Sequence, residues 1–386
     1  MDELQAVREL FPETPPPDAR VTTQARRRAT GAARLRPPRL RWALPGLGLV
    51  AAATAVALAV GSTGGGPTRP APTSSLPLDG KAVFLAAAEK AEKQPMGGYW
   101  HSDQISGQSY LLKGGYAVIG AHSETFEWTS AAEGGGGRFY GRDLPMRPAT
   151  PEDEAVWRRA GAPTSVRVMS NGHPMTYTRK AGRWQEDKGG RKSGGRFLVG
   201  RGEGLTLQEV LRLPTDPETL TKRFLTSSSR RRSGGPPGPG NPVPAPVSNA
   251  YQLVLAANLL GSAPLPPKVR AGVMRALVAR PGVHTIETAT DALGRQGVAL
   301  AVDQPSWGWR PGPDGKLVKK DDGYRTQEQL IFDKRTGALL AEQSVLLTPG
   351  GEYGSRKPGF VIDYLLLRSS GWTDRKPSPP SALPFR

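Results

Sequence analysis

The chain has 386 residues, no cysteine and a formal net charge of +18 at pH 7. Without a thiol, disulfide scaffolds, thiolate metal sites and thiol catalysis are excluded, so a folded domain here must be held by packing. Only four histidines occur, and the sequence contains no HExxH, GxSxG, P-loop or HxH pattern, which removes the common hydrolase, metalloenzyme and nucleotide-binding signatures.

Taken in order, the chain opens on MDELQAVRELF, where Leu4, Val7, Leu10 and Phe11 recur at helical spacing before PETPPPD breaks the pattern. A helix this short is marginal alone, so the four side chains read as a docking face for a cytoplasmic regulator, against the plainer reading of a disordered basic tail. Residues 1–41 form that basic tail. They carry nine arginines and neither histidine nor cysteine, which excludes a zinc-binding anti-sigma module.

Residues 42–60, WALPGLGLVAAATAVALAV, contain no charge, amide or histidine. As a helix they would cover roughly 28 Å, near the ~30 Å hydrocarbon core of a bilayer, and are expected to form a transmembrane helix. The arginines before the run, against Arg69 alone in the twenty residues after it, orient the N-terminus to the cytoplasm and the rest outside. The expected location is the cell membrane, single-pass, with the lipid bilayer as one partner. Ala57-Leu58-Ala59 also fits a cleavage site, but the run and the segment before it are long for a signal peptide. Residues 61–78 are a flexible Gly/Pro/Ser/Thr linker.

Residues 79–372 are expected to be an extracytoplasmic α+β domain. A helix starts at Asp79, with Val83, Phe84, Ala87, Ala88 and Ala91 on one face. Strand patterns fill 98–144 as an antiparallel meander, and TPEDEAVWRRAG reads as a helix capped by Thr150. Further strands follow, then two short helices across 205–225, the second opened by Thr215-Asp216-Pro217. The Pro/Gly/Arg-rich segment 227–248 is an exposed loop, after which NAYQLVLAANLLG and PPKVRAGVMRALVARPG form a helical pair. The remainder alternates between strands and turns, with turn chemistry at Asp291/Gly294 and Asp333/Gly337, and residues 373–386 are a C-terminal tail.

The string PPKVRAGVMRALVARPGVHTIETATDALGRQGVAL, followed by QLIFDKRTGALLAEQSVLL, resembles the C-terminal half of a family of uncharacterised actinobacterial single-pass membrane proteins, and MDELQAVRELFPETPPPDAR resembles their N-termini. The resemblance implies a neighbouring sigma-factor-like regulator. More distantly, it implies an outer domain like the half-barrels of periplasmic lipoprotein carriers and of an envelope-stress sensor, an antiparallel sheet packed with helices. The Pro-rich insertion leaves open whether the two strand groups join.

In such a half-barrel, concave-face aromatics would accept an acyl chain or an apolar peptide, which makes Trp100 and Trp128 candidate contacts. The alternative is that they fill the core. Trp307 and Trp309, in the loop QPSWGWRPGPDG, are the other candidates, because a loop is a costly place for two large aromatics unless they touch something. No catalytic, cofactor-binding or metal-binding residue is expected, nor an enzyme. The basic excess would suit an anionic envelope ligand, against the plainer reading of an Arg-rich genome and a solvated surface; nucleic acid is a poor candidate, since no motif for it is present. The function expected is a membrane-anchored binding or sensor domain regulating a sigma-factor-type partner; the alternative is a tethered carrier or scaffold for lipid or wall components.

Overall fold

In the structure, a computed structural model, residues 80–170, 173–187, 196–199, 203–225, 248–311 and 317–385 are described. Of the two units into which the chain divides, one (1–42 with 188–190) lies outside these residues. All that follows concerns the other.

Helix α1 is Gly80–Glu92, and it buries Phe84, Ala87, Ala88 and Ala91, the apolar positions of a helical repeat. Alternating sequences then form β1 (Tyr99–Leu111), β2 (Ala117–Ser130), β3 (Gly137–Asp143) and the short β4 (Arg147–Pro148). Helix α2, Pro151–Arg159, starts where the Thr150 side chain accepts from the Asp153 amide, with proline in its first turn. The hairpin β5 (Ser165–Ser170) and β6 (His173–Thr178) follows, then β7 (Gln185–Glu186), β8 (Phe197–Val199) and β9 (Glu203–Leu205).

Two helical pieces come next, α3 (Leu207–Leu211), with a capping box between Thr206 and Glu209, and α4 (Pro217–Leu220), capped by Asp216 and continued as a wide turn over Thr221–Leu225. Helices α5 (Asn249–Ser262) and α6 (Pro267–Val278) form the expected pair. The chain ends in β10 (His284–Thr290), β11 (Gln296–Pro311), β12 (Leu317–Phe332), β13 (Leu339–Thr348) and β14 (Val361–Thr373).

All the long strands belong to one antiparallel sheet, in the order β10-β11-β12-β13-β14-β1-β2-β3-β7, with β4 on β2. The two strand groups separated by the helices are joined by β14, which pairs along β1 from Tyr99↔Thr373 to Gln108↔Asp363. On one face α1, α5 and α6 pack over Trp100, Val298, Leu300, Leu330, Phe332 and Leu367. The opposite face buries Ile105, Ile119, Ala299, Ile331, Tyr364 and Leu366, partly beneath Phe385 of the C-terminal segment.

The expected fold is corrected in two respects. The domain is a large antiparallel sheet with few helices, and its helix-covered face is filled by side chains, whereas a half-barrel carrier would leave a concave face open. The expected single-pass membrane helix has no counterpart among the described residues. Among the described residues no helix is long and apolar enough to cross a membrane. The longest, α5, has 14 residues, about 21 Å at 1.5 Å per residue. The stretch 42–60 assigned to the span, like the linker 61–78 and most of the loop 227–248, lies outside the described residues.

One turn ties the sheet to α1. Between β12 and β13 the Asp333 carboxylate accepts from the amides of Arg335 and Thr336 at 2.7 and 2.8 Å, and Gly337 closes the turn at φ 70°. That glycine sits against the helix, where a Cβ would collide with the Ala87 carbonyl and the Ala91 side chain. Gly337→Ala is therefore expected to lose about 2 kcal/mol or more, from left-handed backbone strain added to the collision, read as a lowered midpoint in urea unfolding.

Candidate functional site: a buried acidic row

Residues directly opposite in an antiparallel pair project from the same face of the sheet. The register lines up Val302, Glu328, Ser344, Asp363 and Gln108, from β11 across to β1, in one row. Glu342, two residues before Ser344 on β13, shares that face between Leu330 and Leu365. Val302 and Leu330 belong to the core under α5 and α6. At the other end Gln108 accepts from the Tyr110 hydroxyl at 2.8 Å, and Tyr110 packs with Val118, Trp157 and Val166 under α2 and the β5–β6 hairpin. The carboxylates thus lie along the seam between two covers.

Glu328 is 1% exposed, Asp363 7% and Ser344 0%; Glu342 is half-buried. Three other deeply buried acids of this domain are clasped by arginine, while Asp103, 2% exposed, is not. Glu124 meets Arg142 and Arg368 at 2.5 and 2.8 Å, Asp153 meets Arg356 at 2.6 Å, and Asp291 meets Arg295 at 2.6 Å. Among the described residues no arginine or lysine pairs with Glu328, Glu342 or Asp363. Gln304 donates to Glu328 Oε1 at 3.0 Å, while Glu328 Oε2 has no hydrogen-bond partner. Ser344 Oγ stands beside the Glu328 carboxylate without a well-formed hydrogen bond.

Desolvation disfavours the charged form of an acid. Burial pushes Glu328 up to about 8, with Glu342 adding to it, and burial alone pushes Glu342 up to about 8. Asp363 is raised well above the usual carboxylate range by burial first and then by Glu342 and Glu328. The phenols of Tyr110 and Tyr353 are raised too, chiefly by burial, with Asp363 among the charges acting on them. At neutral pH the row therefore holds protons, and each proton lost places a negative charge beside other acids in a low-dielectric seam. Among the described residues no group of three histidine or acidic side chains is arranged to hold a metal ion.

The expected contact residues fall elsewhere and apart. Trp100 is fully buried on the helix-covered face, edge-on to Phe197 with ring centroids 6.3 Å apart. Trp128 lies on the opposite face, edge-on to Tyr99 at 5.8 Å, with the Lys376 ammonium 4.6 Å from its ring centre. Both border a small cleft of about 20 Å³ shared with Phe139 and Phe197, far below the ~300–1,000 Å³ usual for ligand pockets. Trp307 and Trp309 stand on β11, opposite Asp321 and Lys319 of β12, rather than in a loop; their side chains, like Leu4, Val7, Leu10 and Phe11, are outside what is described. His122 is engaged at both ring nitrogens, by the Pro145 carbonyl at 2.8 Å and the Tyr364 hydroxyl at 3.2 Å, and burial lowers it to about 3.

Sequence reasoning missed Glu328, Glu342 and Asp363. Their signal was a single acid inside an apolar strand run, in QEQLIF, LLAEQSVLL and FVIDYLLL. A carboxyl raised in the folded state binds its proton there while the unfolded chain has released it, so its contribution is complete below the unfolded value and is lost as pH rises through the folded one. Stability should fall between about pH 4.5 and 8, by a few kcal/mol for Glu328 alone. Glu328→Gln should flatten that fall, an outcome measured by urea unfolding at pH 5, 7 and 9. No family model matches the sequence, no curated protein and no solved structure matches it, and nothing here bears on the resemblance drawn from its motifs.

Proposed function

We propose that this domain is a sensor whose input is the ionisation of the acidic row. The observation that carries the reading is the clustering of Glu328, Glu342 and Asp363 around Ser344 without a basic partner among the described residues, in a fold that supplies arginines to Glu124, Asp153 and Asp291. Two protonated glutamic acids can lie under a packed helix at modest cost. The same groups ionised repel one another and demand water, and the least costly place to admit water is the seam between α5 and the β5–β6 hairpin. The output is then a change in how α5 sits on β11, β12 and β13, available to a partner that reads that surface.

The carrier reading draws less support, because the helix-covered face has its space filled by leucine, valine and phenylalanine side chains. Hydrogen exchange followed by mass spectrometry between pH 6 and 9 tests the sensor. After correction for the intrinsic pH dependence of exchange, peptides from α5 should lose protection about tenfold or more between pH 6 and 8, equivalent to roughly 1.4 kcal/mol or more, and change little above pH 8. The triple variant Glu328→Gln, Glu342→Gln, Asp363→Asn should keep its protection. Equal pH profiles for the variant and the unaltered chain would sink the proposal.

A further inference from the structure

The opposite face of the sheet carries a second feature, independent of the acidic row. After β14 the chain turns back, and residues 376–385, KPSPPSALPF, lie against side chains of β14, β2 and β3. No backbone–backbone hydrogen bond holds this segment to the sheet. It is gripped by side chains that donate to its carbonyls. The Trp184 indole donates to the Pro380 carbonyl at 2.7 Å, Arg142 to the Ser381 and Ala382 carbonyls at 3.3 and 2.8 Å, and Arg368 to the Ala382 carbonyl at 3.0 Å. Pro377, Pro379, Pro380, Pro384 and Phe385 are half-buried, while Ser378, Ser381, Ala382 and Leu383 are exposed, so the prolines and the phenylalanine face the groove.

The receiving surface is built, not incidental. Arg142 is 4% exposed and Glu124 0%, and the two arginines that clasp Glu124 are the ones that reach the carbonyls of the segment. Trp184 stacks on the Arg142 guanidinium at 4.4 Å, Arg147 lies 4.2 Å over the Phe385 ring, and His122 flanks that ring with centroids 5.2 Å apart. Recognition through carbonyls with aromatic and cationic walls suits a chain that lacks amide protons and is already extended, which is the chemistry of a polyproline-type segment. A segment that only closed the fold would more economically add a strand through its own amides.

We infer that this groove is a recognition site for an extended, proline-containing segment of another polypeptide, and that residues 376–385 occupy it in cis as a displaceable strap. Tethered to the sheet, the strap competes at a high effective concentration, so a peptide added in trans binds weakly until the strap is loosened. The test uses the full chain and a fluorescein-labelled peptide of residues 374–386, read by fluorescence polarisation. The variant Pro379→Ala, Pro380→Ala, Phe385→Ala is expected to bind the peptide about tenfold more tightly than the unaltered chain, Trp184→Phe on that background should cancel the gain, and a peptide with every proline changed to alanine should bind about fivefold more weakly. Should the triple variant not fold, Phe385→Ala alone carries the test with an expected gain of about threefold. The inference is overturned if no folded strap variant binds better than the unaltered chain, or if the alanine peptide binds as well as the proline one. It is also overturned if the unaltered chain forms a concentration-dependent dimer that the strap substitutions abolish, since the groove then serves a second copy of the chain.

Discussion

The structure depends on the pairing of β1 with β14. It brings together strands more than 250 residues apart in the chain and, among the described residues, is the only link between the strand groups on either side of the helices in the main sheet order. Without it Asp363 would not face Gln108, and Arg368 would not reach Glu124, whose strand lies beyond β1. Such a contact returns nothing until a long loop has closed, so the helices between must form and dock as the sheet closes. That order explains why Gln104, on the pairing strand, donates to the Gly261 carbonyl at the end of α5 while Ser102 beside it does the same: the last turn of the helix is fastened to the joining strand.

The two faces of this sheet solve the burial of carboxylates in opposite ways. On the face under the strap, Glu124 meets two arginines, whose remaining donors reach carbonyls of residues 381 and 382. A buried ion pair of this kind is strongly destabilising only when one partner is removed. Under the helices the acids give up their charge, and the cost is limited to orienting neutral hydroxyls among glutamine and serine side chains. Asp103 sits between the regimes. It is 2% exposed and pushed up to about 7 by burial and by Glu124, against the pull of Arg368 and Arg142.

What was legible in the sequence was local. The caps at Thr150 and Asp216, the prolines that start α2 and α6, and the turns at Asp291/Gly294 and Asp333/Gly337 each work through residues a few positions apart, and the helices and hairpins they bound lie where those signals put them. The strand order was not legible, because the pairing of β14 with β1 leaves no mark in either strand alone. Trp307 and Trp309 read as loop residues because Pro305 and the surrounding glycines break the strand pattern. A register shift between Pro305 and Trp307 absorbs the proline, and β11 continues to Pro311. The acidic row was hidden for a related reason: Glu328, Glu342 and Asp363 are single acids in separate strands, and only the register makes them neighbours. Trp100 and Trp128 illustrate the limit of counting aromatics, since one residue of difference in β1 and β2 pairing sends them to opposite faces.

Strand β14 is where the two proposed sites meet. Alternation along it sends Asp363 into the acidic row and Tyr364 to the other side, where its hydroxyl reaches His122 and its ring lies 6.4 Å from Phe385. The register of β14 against β1 shifts between Asp103 and Gln104, which leaves Arg368 opposite no residue of β1, and its guanidinium grips both Glu124 and the Ala382 carbonyl. A strand in a packed sheet cannot slide to suit one face alone, because a one-residue change of register would turn Asp363 out of the row and Tyr364 into it. Any rearrangement of the seam that keeps the sheet intact must therefore leave β14 in place and move what covers it, the helices on one side and the strap on the other.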